Sequence, residues 1–431
     1  MLFYTAPSGV PIYGGRLSGP SNALLATAGD SLNDPLYELT TVTWAGGLVR
    51  GALCPVLNAS IQGQRVSQIL DRIDNSYLAD GFAGLPSAMG VAKVGFGFLK
   101  AGTNDARAMA DWSSISAIYS SLVTAMLVYC EHVIICTIPP IISPERDAEA
   151  KDMCVRSINA GLAAFAAASP GTVTLIDGAR FLRAGDSPTG AGISAYFSDG
   201  VHPNHAGVHV QGVGEGEALA AAFAARGWAM AAPLVTDNAD VYPATRQWAT
   251  NPGMTGSVSH GGSWPGMVAT GVTVGASGAG AGTVFMLAAD PDDPNQQPWQ
   301  MVAPTQGQSS GWTQISIANA GAQITATEPS RVEAMVELRF DALDLSNIKR
   351  LTFAARGNTT NNRYLLPRFW LGFGPQARTW TRKGVVMRSR LPRAAGTVES
   401  GITLFLALEY TASFSGASMG SFGFRFPSLR G

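Results

Sequence analysis

The chain has 431 residues, of which 46% are hydrophobic and 14% charged, and its formal net charge is −1. That length predicts two or three domains with sizeable cores. The near-neutral balance gives no basic footprint for nucleic acid. Charge sits well under the roughly 25% of an ordinary globular protein. A surface built instead from Ser, Thr, Asn and Gly suits an extracellular or particle-bound protein.

Four cysteines, Cys54, Cys130, Cys136 and Cys154, form no C-x-x-C pair, so neither a zinc ribbon nor a thioredoxin-type site is expected. Buried free thiols are the expected state, with one disulfide as the alternative. Met1 to Arg16 has no early positive charge and no long apolar core, and does not read as a signal peptide. No uninterrupted apolar run reaches about 18 residues, so no membrane span is expected.

Residues 1–20 are rich in Pro and Gly and read as extended. An apolar run, Ala23 to Ala28, then leads into the turn Gly29-Asp30-Ser31-Leu32-Asn33. Tyr37 to Val49 holds a short helix or hairpin. Leu53 to Ala59 reads as a strand running into Ser60-Ile61-Gln62-Gly63-Gln64. Val66, Ile69, Leu70 and Ile73 then mark one face of a helix. Val91 to Leu99 is a strand ending in Ala101-Gly102-Thr103-Asn104-Asp105. A helix over Trp112 to Val128, a strand over His132 to Ile138, a helix over Arg146 to Ala168 and a strand over Thr172 to Ile176 follow. The loop Ser198-Asp199-Gly200-Val201-His202-Pro203 precedes a last helix, His205 to Arg226. This alternation predicts a parallel sheet covered by helices on both faces. Ligands of such sheets lie beyond the carboxyl ends of the strands, and three of the polar turns directly follow strands.

Those turns hold the parts that ester cleavage needs. Ser31 is the candidate nucleophile. His202 is the candidate base, because imidazole titrates in the useful range. Asp199, three residues earlier on the same loop, can orient it. Candidate oxyanion donors are the backbone N–H groups of Ser31 and Gly63 and the side-chain amide of Asn104, with Gly102 allowing the turn that aims Asn104. Each part alone has an ordinary alternative: a capped strand-to-helix turn for Ser31, a capped loop for Asp199 and His202, an Asx turn for Asn104. It is their joint order on the ends of elements that points to a site. His205 and His209 follow His202 at helical spacing without a clear acidic partner, so no metal or other cofactor is expected. Asp177 and His132 read as structural, and Glu145 and Arg146 as candidates for lining the cleft. Gly212-x-Gly214-x-Gly216 lacks a phosphate-loop context.

Gly29-Asp30-Ser31-Leu32, Gly63, Gly102-Thr103-Asn104-Asp105 and Asp199-Gly200-Val201-His202 resemble the four sequence blocks of the SGNH hydrolase (GDSL esterase/lipase) superfamily. The resemblance spans about residues 22–226. It implies a flavodoxin-like three-layer α/β/α fold and metal-free hydrolysis of acyl esters. It also implies that Asp30 braces the loops of the site. The sequence departs from the family at the second block, where Gln62 precedes Gly63 in place of a less bulky neighbour.

Beyond Met230 the texture changes. Alternating runs at Gly271–Val274, Thr283–Leu287, Trp299–Val302, Thr313–Ile317, Val332–Phe340, Arg350–Ala354, Tyr364–Phe373, Gly384–Arg388 and Thr403–Tyr410 are separated by Gly, Ser, Asn and Pro. They predict an antiparallel β-sandwich, a jelly roll of about eight strands. Gly275 to Gly282 reads as a flexible loop. The run from Asn251-Pro252-Gly253-Met254 to the Trp299 strand resembles the start of carbohydrate-binding jelly-roll modules. Similar modules accompany SGNH domains in phage tail proteins. Trp264, Trp299, Trp312, Trp370 and Trp380 could stack on sugars or fill the core. The expected organisation is thus an extended segment (1–21), an SGNH domain (22–229), a linker (230–248) and a β-sandwich (249–431).

The reading that results is a serine esterase removing acyl groups, O-acetyl above all, from a bacterial surface polysaccharide. It would be carried on a phage tail or be extracellular, and could be a homotrimer. Two rivals are a catalytically silent receptor- or glycan-binding virion protein, and a lipase or thioesterase for longer acyl chains. No long apolar lid supports the latter.

Overall fold

The computed structural model describes residues 4–5, 11–12, 19–34, 41–49, 53–74, 82–228, 256–277, 280–287, 298–318, 323–325, 330–356, 369–374, 376, 378–393, 398–400, 403–416 and 419–430. The expected linker, Asn251 to Met254 and the first part of the Tyr364–Phe373 run lie outside these residues. The chain divides into two compact units, one of residues 15–230 and one of residues 231–431 joined by 2–14.

In the first unit five strands, β1 (Leu24–Gly29), β2 (Cys54–Asn58), β3 (Val94–Lys100), β4 (Cys130–Cys136) and β5 (Val173–Ile176), form one sheet in the order β2-β1-β3-β4-β5. All its pairings are parallel. This is the flavodoxin-like order, whose direction of winding reverses between β1 and β3. Alternation along the strands builds the layers. Leu24, Ala26 and Ala28 of β1, with Val133 and Ile135 of β4, pack into one core beside the helices α2 (Val66–Asp74), α5 (Trp112–Tyr129) and α6 (Ala148–Ala168). Leu25, Ile134 and Cys136 point the other way, against α1 (Val42–Leu48) and α7 (His205–Ala225), which supply Val42, Ala45, Leu219 and Phe223. Side chains two residues apart share a face and neighbours do not, so each strand serves both layers.

Two shorter helices, α3 (Gly84–Ala88) and α4 (Thr103–Arg107), complete this unit. By length and composition α5 alone among the described helices could cross a membrane. Here it packs Ile115, Tyr119, Leu122 and Met126 into the core. Cys54, Cys130 and Cys136 are buried free thiols, and Cys154 is a half-buried one.

Among the described residues the strands of the second unit pair antiparallel, with one isolated parallel bridge between Gly266 and Val284. One sheet runs β6 (Val272–Ala276), β9 (Trp312–Ala318), β14 (Thr403–Tyr410), β11 (Ile348–Arg356), β12 (Phe369–Gly372). The other runs β7 (Ala281–Met286), β8 (Gln300–Gly307), β15 (Ser421–Arg430), β10 (Ser330–Asp344), β13 (Thr379–Arg393). Counting β8 to β15 as one to eight, the sheets read 1-8-3-6 and 2-7-4-5, and β6 and β7 extend one edge of each. Phe340 of β10 meets Phe373, just past β12 of the other sheet, at 5.7 Å between ring centroids.

Several expectations change here. Gly275 and Gly282 belong to strands β6 and β7, so the connection between those strands is shorter than the predicted flexible loop. Ala334, Val336 and Leu338 face the core, as the alternation predicts, and Phe340 follows them, but Glu337 between them is also buried, where Arg425 pairs with it at 2.6 Å. Strand β15 was missed, although Phe422 and Phe424 carry a period of two.

The tryptophans divide. Trp264 is 3% exposed and packs against Gly282, so its face is closed to a sugar. Trp299 is buried with the Arg425 guanidinium 4.3 Å from its ring centroid. Trp380 is half-buried against Phe340. Trp312 is half-buried, and the side chain of Trp370 lies outside the described residues.

Candidate active site

The turn after β1 places Ser31 where the winding reverses, at the carboxyl edge of the sheet. Asp30 shapes that turn: its Oδ1 accepts the Leu32 N–H at 3.0 Å, while its carbonyl accepts the Asn33 N–H. The Asp30 side chain is fully buried. That burial pushes its carboxyl up to about 6 from an ordinary value of 3.8, against the Leu32 N–H, Lys100 and Thr103, which pull it down. The sign of the consequence is set by this direction. A folded-state value raised above the unfolded one gives stability that is fully present below pH 3.8 and lost as pH rises through about 6. Asp30→Asn keeps an acceptor for Leu32 without the charge. Its stability relative to wild type is therefore expected to rise by about 3 kcal/mol between pH 4 and 7, as read by denaturant melts across that range.

The base comes from a turn 171 residues away. Ser31 Oγ lies 2.8 Å from His202 Nε2. On the other side of the ring, His202 Nδ1 lies 2.7 Å from Asp199 Oδ2. Asp199 Oδ1 also accepts the backbone N–H groups of Val201 at 3.0 Å and His202 at 2.7 Å. Partial burial alone would raise the Asp199 carboxyl, but these N–H groups and the imidazole outweigh it and hold it below the usual carboxylate range. Ionised Asp199 fixes the proton on Nδ1, which leaves the Nε2 lone pair facing the Ser31 hydroxyl.

Gly200 lets the turn close. Its φ is +85°, and a Cβ there would stand 2.4 Å from the Ile142 carbonyl oxygen, to which loop Gly200 is tied by the Ile142 N–H. Gly200→Ala is therefore expected to displace Asp199 and His202. A shift of order 1 Å costs about 10²-fold in turnover, measurable as kcat/KM on 4-nitrophenyl acetate. Downstream, Asn204 anchors the same loop. Its side chain caps α7 through the Gly207 N–H at 3.1 Å and donates to the Ala195 carbonyl at 2.8 Å.

The second and third blocks sit beside each other. Gly63 is exposed with φ +75° and open space where a Cβ would stand. The Asn104 amide donates to the Gln64 carbonyl at 3.0 Å, using one of its two N–H bonds and tying the blocks together. Gly102, at φ +118°, precedes it. Two carboxylates that sequence reasoning passed over hold this region. Asp34 accepts the Gln62 N–H, and Asp105 accepts the Val66 N–H, each at 3.0 Å. Their signal was available: Asp105 closes the third block itself, and Asp34 lies three residues beyond Ser31.

The remaining candidates fall away from the chemistry. Asp177 accepts from the Thr137 hydroxyl at 3.0 Å, and His132 is buried against Thr174 at 2.8 Å. His209 stacks on Trp44 with centroids 5.1 Å apart. Among the described residues no group of three His, Cys, Asp or Glu side chains could hold a metal ion. Glu145 lies against Gly200, whereas Arg146 is exposed and pairs with Asp147.

No family model and no curated protein matches the chain. Solved structures do. A GDSL-like lipase from Bacteroides thetaiotaomicron is 19% identical, over 48% of this chain and 93% of its own, with a TM-score of 0.34. An acetyl xylan esterase variant from Geobacillus stearothermophilus is 18% identical, over 48% of this chain and 95% of its own, with a TM-score of 0.32. The enzymatically active domain of tailspike protein 4 of bacteriophage CBA120 is 9% identical, over 37% of this chain and 19% of its own, with a TM-score of 0.23.

Proposed function

We propose that this chain is a serine esterase of the SGNH type that removes acyl groups, in the first place acetyl, from carbohydrate. The observation that carries the reading is the continuous relay from Ser31 Oγ through His202 to Asp199, at 2.8 and 2.7 Å. Ser31 Oγ attacks the ester carbonyl while His202 Nε2 takes its proton. The oxyanion that forms is met by the backbone N–H groups of Ser31 and Gly63 and the free N–H of the Asn104 amide, an array in which each donor is worth about 3–4 kcal/mol. Collapse expels the alcohol with the proton from His202 and leaves acyl-Ser31. Water, giving its proton to His202, then releases the acid and restores the serine.

The carbohydrate half of the reading rests on other features. The interleaved strand order of the second unit supports a jelly roll, and a surface poor in charge suits a particle-bound protein, a phage tail component or a secreted one. Assembly as a trimer belongs to the same proposal. With Trp264 and Trp299 buried, glycan contacts in that unit reduce to Trp312 and Trp370. Mass spectrometry of acetylated bacterial polysaccharides before and after treatment tests the whole. Loss of acetyl mass is the expected result. Binding of the glycan without loss of acetyl, together with inert 4-nitrophenyl acetate, would instead identify a silent glycan-binding protein.

A further inference from the structure

We propose that Arg107 is an anion-binding residue at the mouth of the Ser31 site, so that the substrate is an acylated glycan bearing a carboxylate beside the acylated sugar. The inference rests on the esterase reading and adds the charge of its substrate.

Arg107 closes the single helical turn in which Asn104 sits, three residues on and therefore on the same side of it. Its Nη2 reaches Glu145 Oε2 at 3.3 Å. The Glu145 backbone packs against Gly200, where a Cβ would stand 3.1 Å from the Glu145 nitrogen. Arg107 thus spans from the amide that faces the oxyanion to the turn that carries His202. A sugar held by its ester between those two sides passes beneath the guanidinium.

Glu145 is shared, and Arg107 keeps donors to spare. Glu145 is already bound by Lys151 at 2.6 Å, and Lys151 and Arg107 together hold its carboxyl below the usual range. Asp105 accepts the Val66 N–H and feels Arg65; Asp34 accepts the Gln62 N–H and faces Arg72. Arg107 makes one ion pair among the described residues, through one nitrogen, and its side chain is 40% exposed. A guanidinium offers five donors in a planar fork that fits an oxyanion bidentately. Arg65, exposed and two residues beyond Gly63, is tied to the same side by the Asn104–Gln64 hydrogen bond. In a chain with 14% charged residues, two exposed arginines flanking one side of the site are a concentration of positive charge. An acetyl group cannot carry the matching anion, so it must lie on the alcohol, that is, on the sugar.

The test compares kcat/KM on an O-acetylated oligouronate and on an O-acetylated neutral xylo-oligosaccharide of equal length. Wild type is expected to prefer the uronate by about 10- to 100-fold, the range of a hydrogen bond to a charged group. The preference should shrink in about 0.5 M NaCl, where charges are screened within a few ångströms. In Arg107→Gln the ratio should fall towards one, and in Glu145→Gln it should persist or rise. Were Arg107 only a strut for Glu145, both variants would slow both substrates and leave the ratio intact, which would overturn the proposal. Equal rates in wild type would also overturn it. A sulfated glycan preferred over the uronate would overturn the carboxylate assignment. Calorimetric binding of the non-acetylated oligouronate to Ser31→Ala protein needs no turnover, so it separates this subsite from the esterase reading. Equal affinity with and without Arg107→Gln would sink the subsite even if ester cleavage stands.

Discussion

Replacing Ser31 by alanine is expected to lower kcat on 4-nitrophenyl acetate by about 10⁵- to 10⁶-fold, the loss that removal of a triad nucleophile brings. Stability should barely move. Ser31 contributes one hydrogen bond through its side chain, to His202, and a single bond of that kind is worth about 1 kcal/mol. The measurement is a pair of assays on one preparation: steady-state turnover and a thermal melt. Wild-type enzyme should also show a burst of nitrophenol as acyl-Ser31 accumulates, and the variant none. An unchanged melt with turnover intact would remove Ser31 from the chemistry and leave the relay to His202 without a purpose.

The second large effect is on stability. Lys100, the last residue of β3, and Glu215 of α7 form an ion pair at 2.7 Å with side chains 1% and 0% exposed. Lys100 also donates to the Thr41 hydroxyl at 2.6 Å, and Gln211 donates to the same Glu215 oxygen at 2.8 Å. Taking both ions out of water cost several kcal/mol each, and the pair recovers that cost only while both members remain. Lys100→Met, which strands a buried carboxylate, is therefore expected to destabilise the protein by about 3–5 kcal/mol. Lys100→Met combined with Glu215→Leu should recover most of the loss. Urea melts of the two single variants and the double one give the coupling. Additive losses would mean that the two groups do not act as a pair.

The sequence made much of this site legible because its chemistry is carried by turns. A serine, a glycine and an asparagine each lie just past a strand whose hydrophobic character is clear, a histidine lies just before the last helix, and parallel strands bring their ends to one edge. Asp199 and His202 needed no long-range information at all. What stayed hidden depends on partners far apart in sequence. Nothing near Lys100 in the chain marks it as buried; its partner Glu215 comes 115 residues later. Glu337 reads as an outward residue of an alternating strand until Arg425 arrives beside it. Trp264 shows the same limit from the other side: an aromatic residue among glycines carries no mark of which face the sheet will cover.

The turn that joins acid and base has one more implication. Asp199 accepts three bonds from a span of four residues, so carboxylate and imidazole hold each other at a distance set locally, much as a tight hairpin sets its own width. The serine arrives from the opposite end of the domain's chain and meets them through its contact with His202 Nε2. Wear on the assembly therefore concentrates at that one seam. On warming or in mild denaturant, turnover should fail ahead of ellipticity, with the couple of acid and base still closed and the hydroxyl gone from its side.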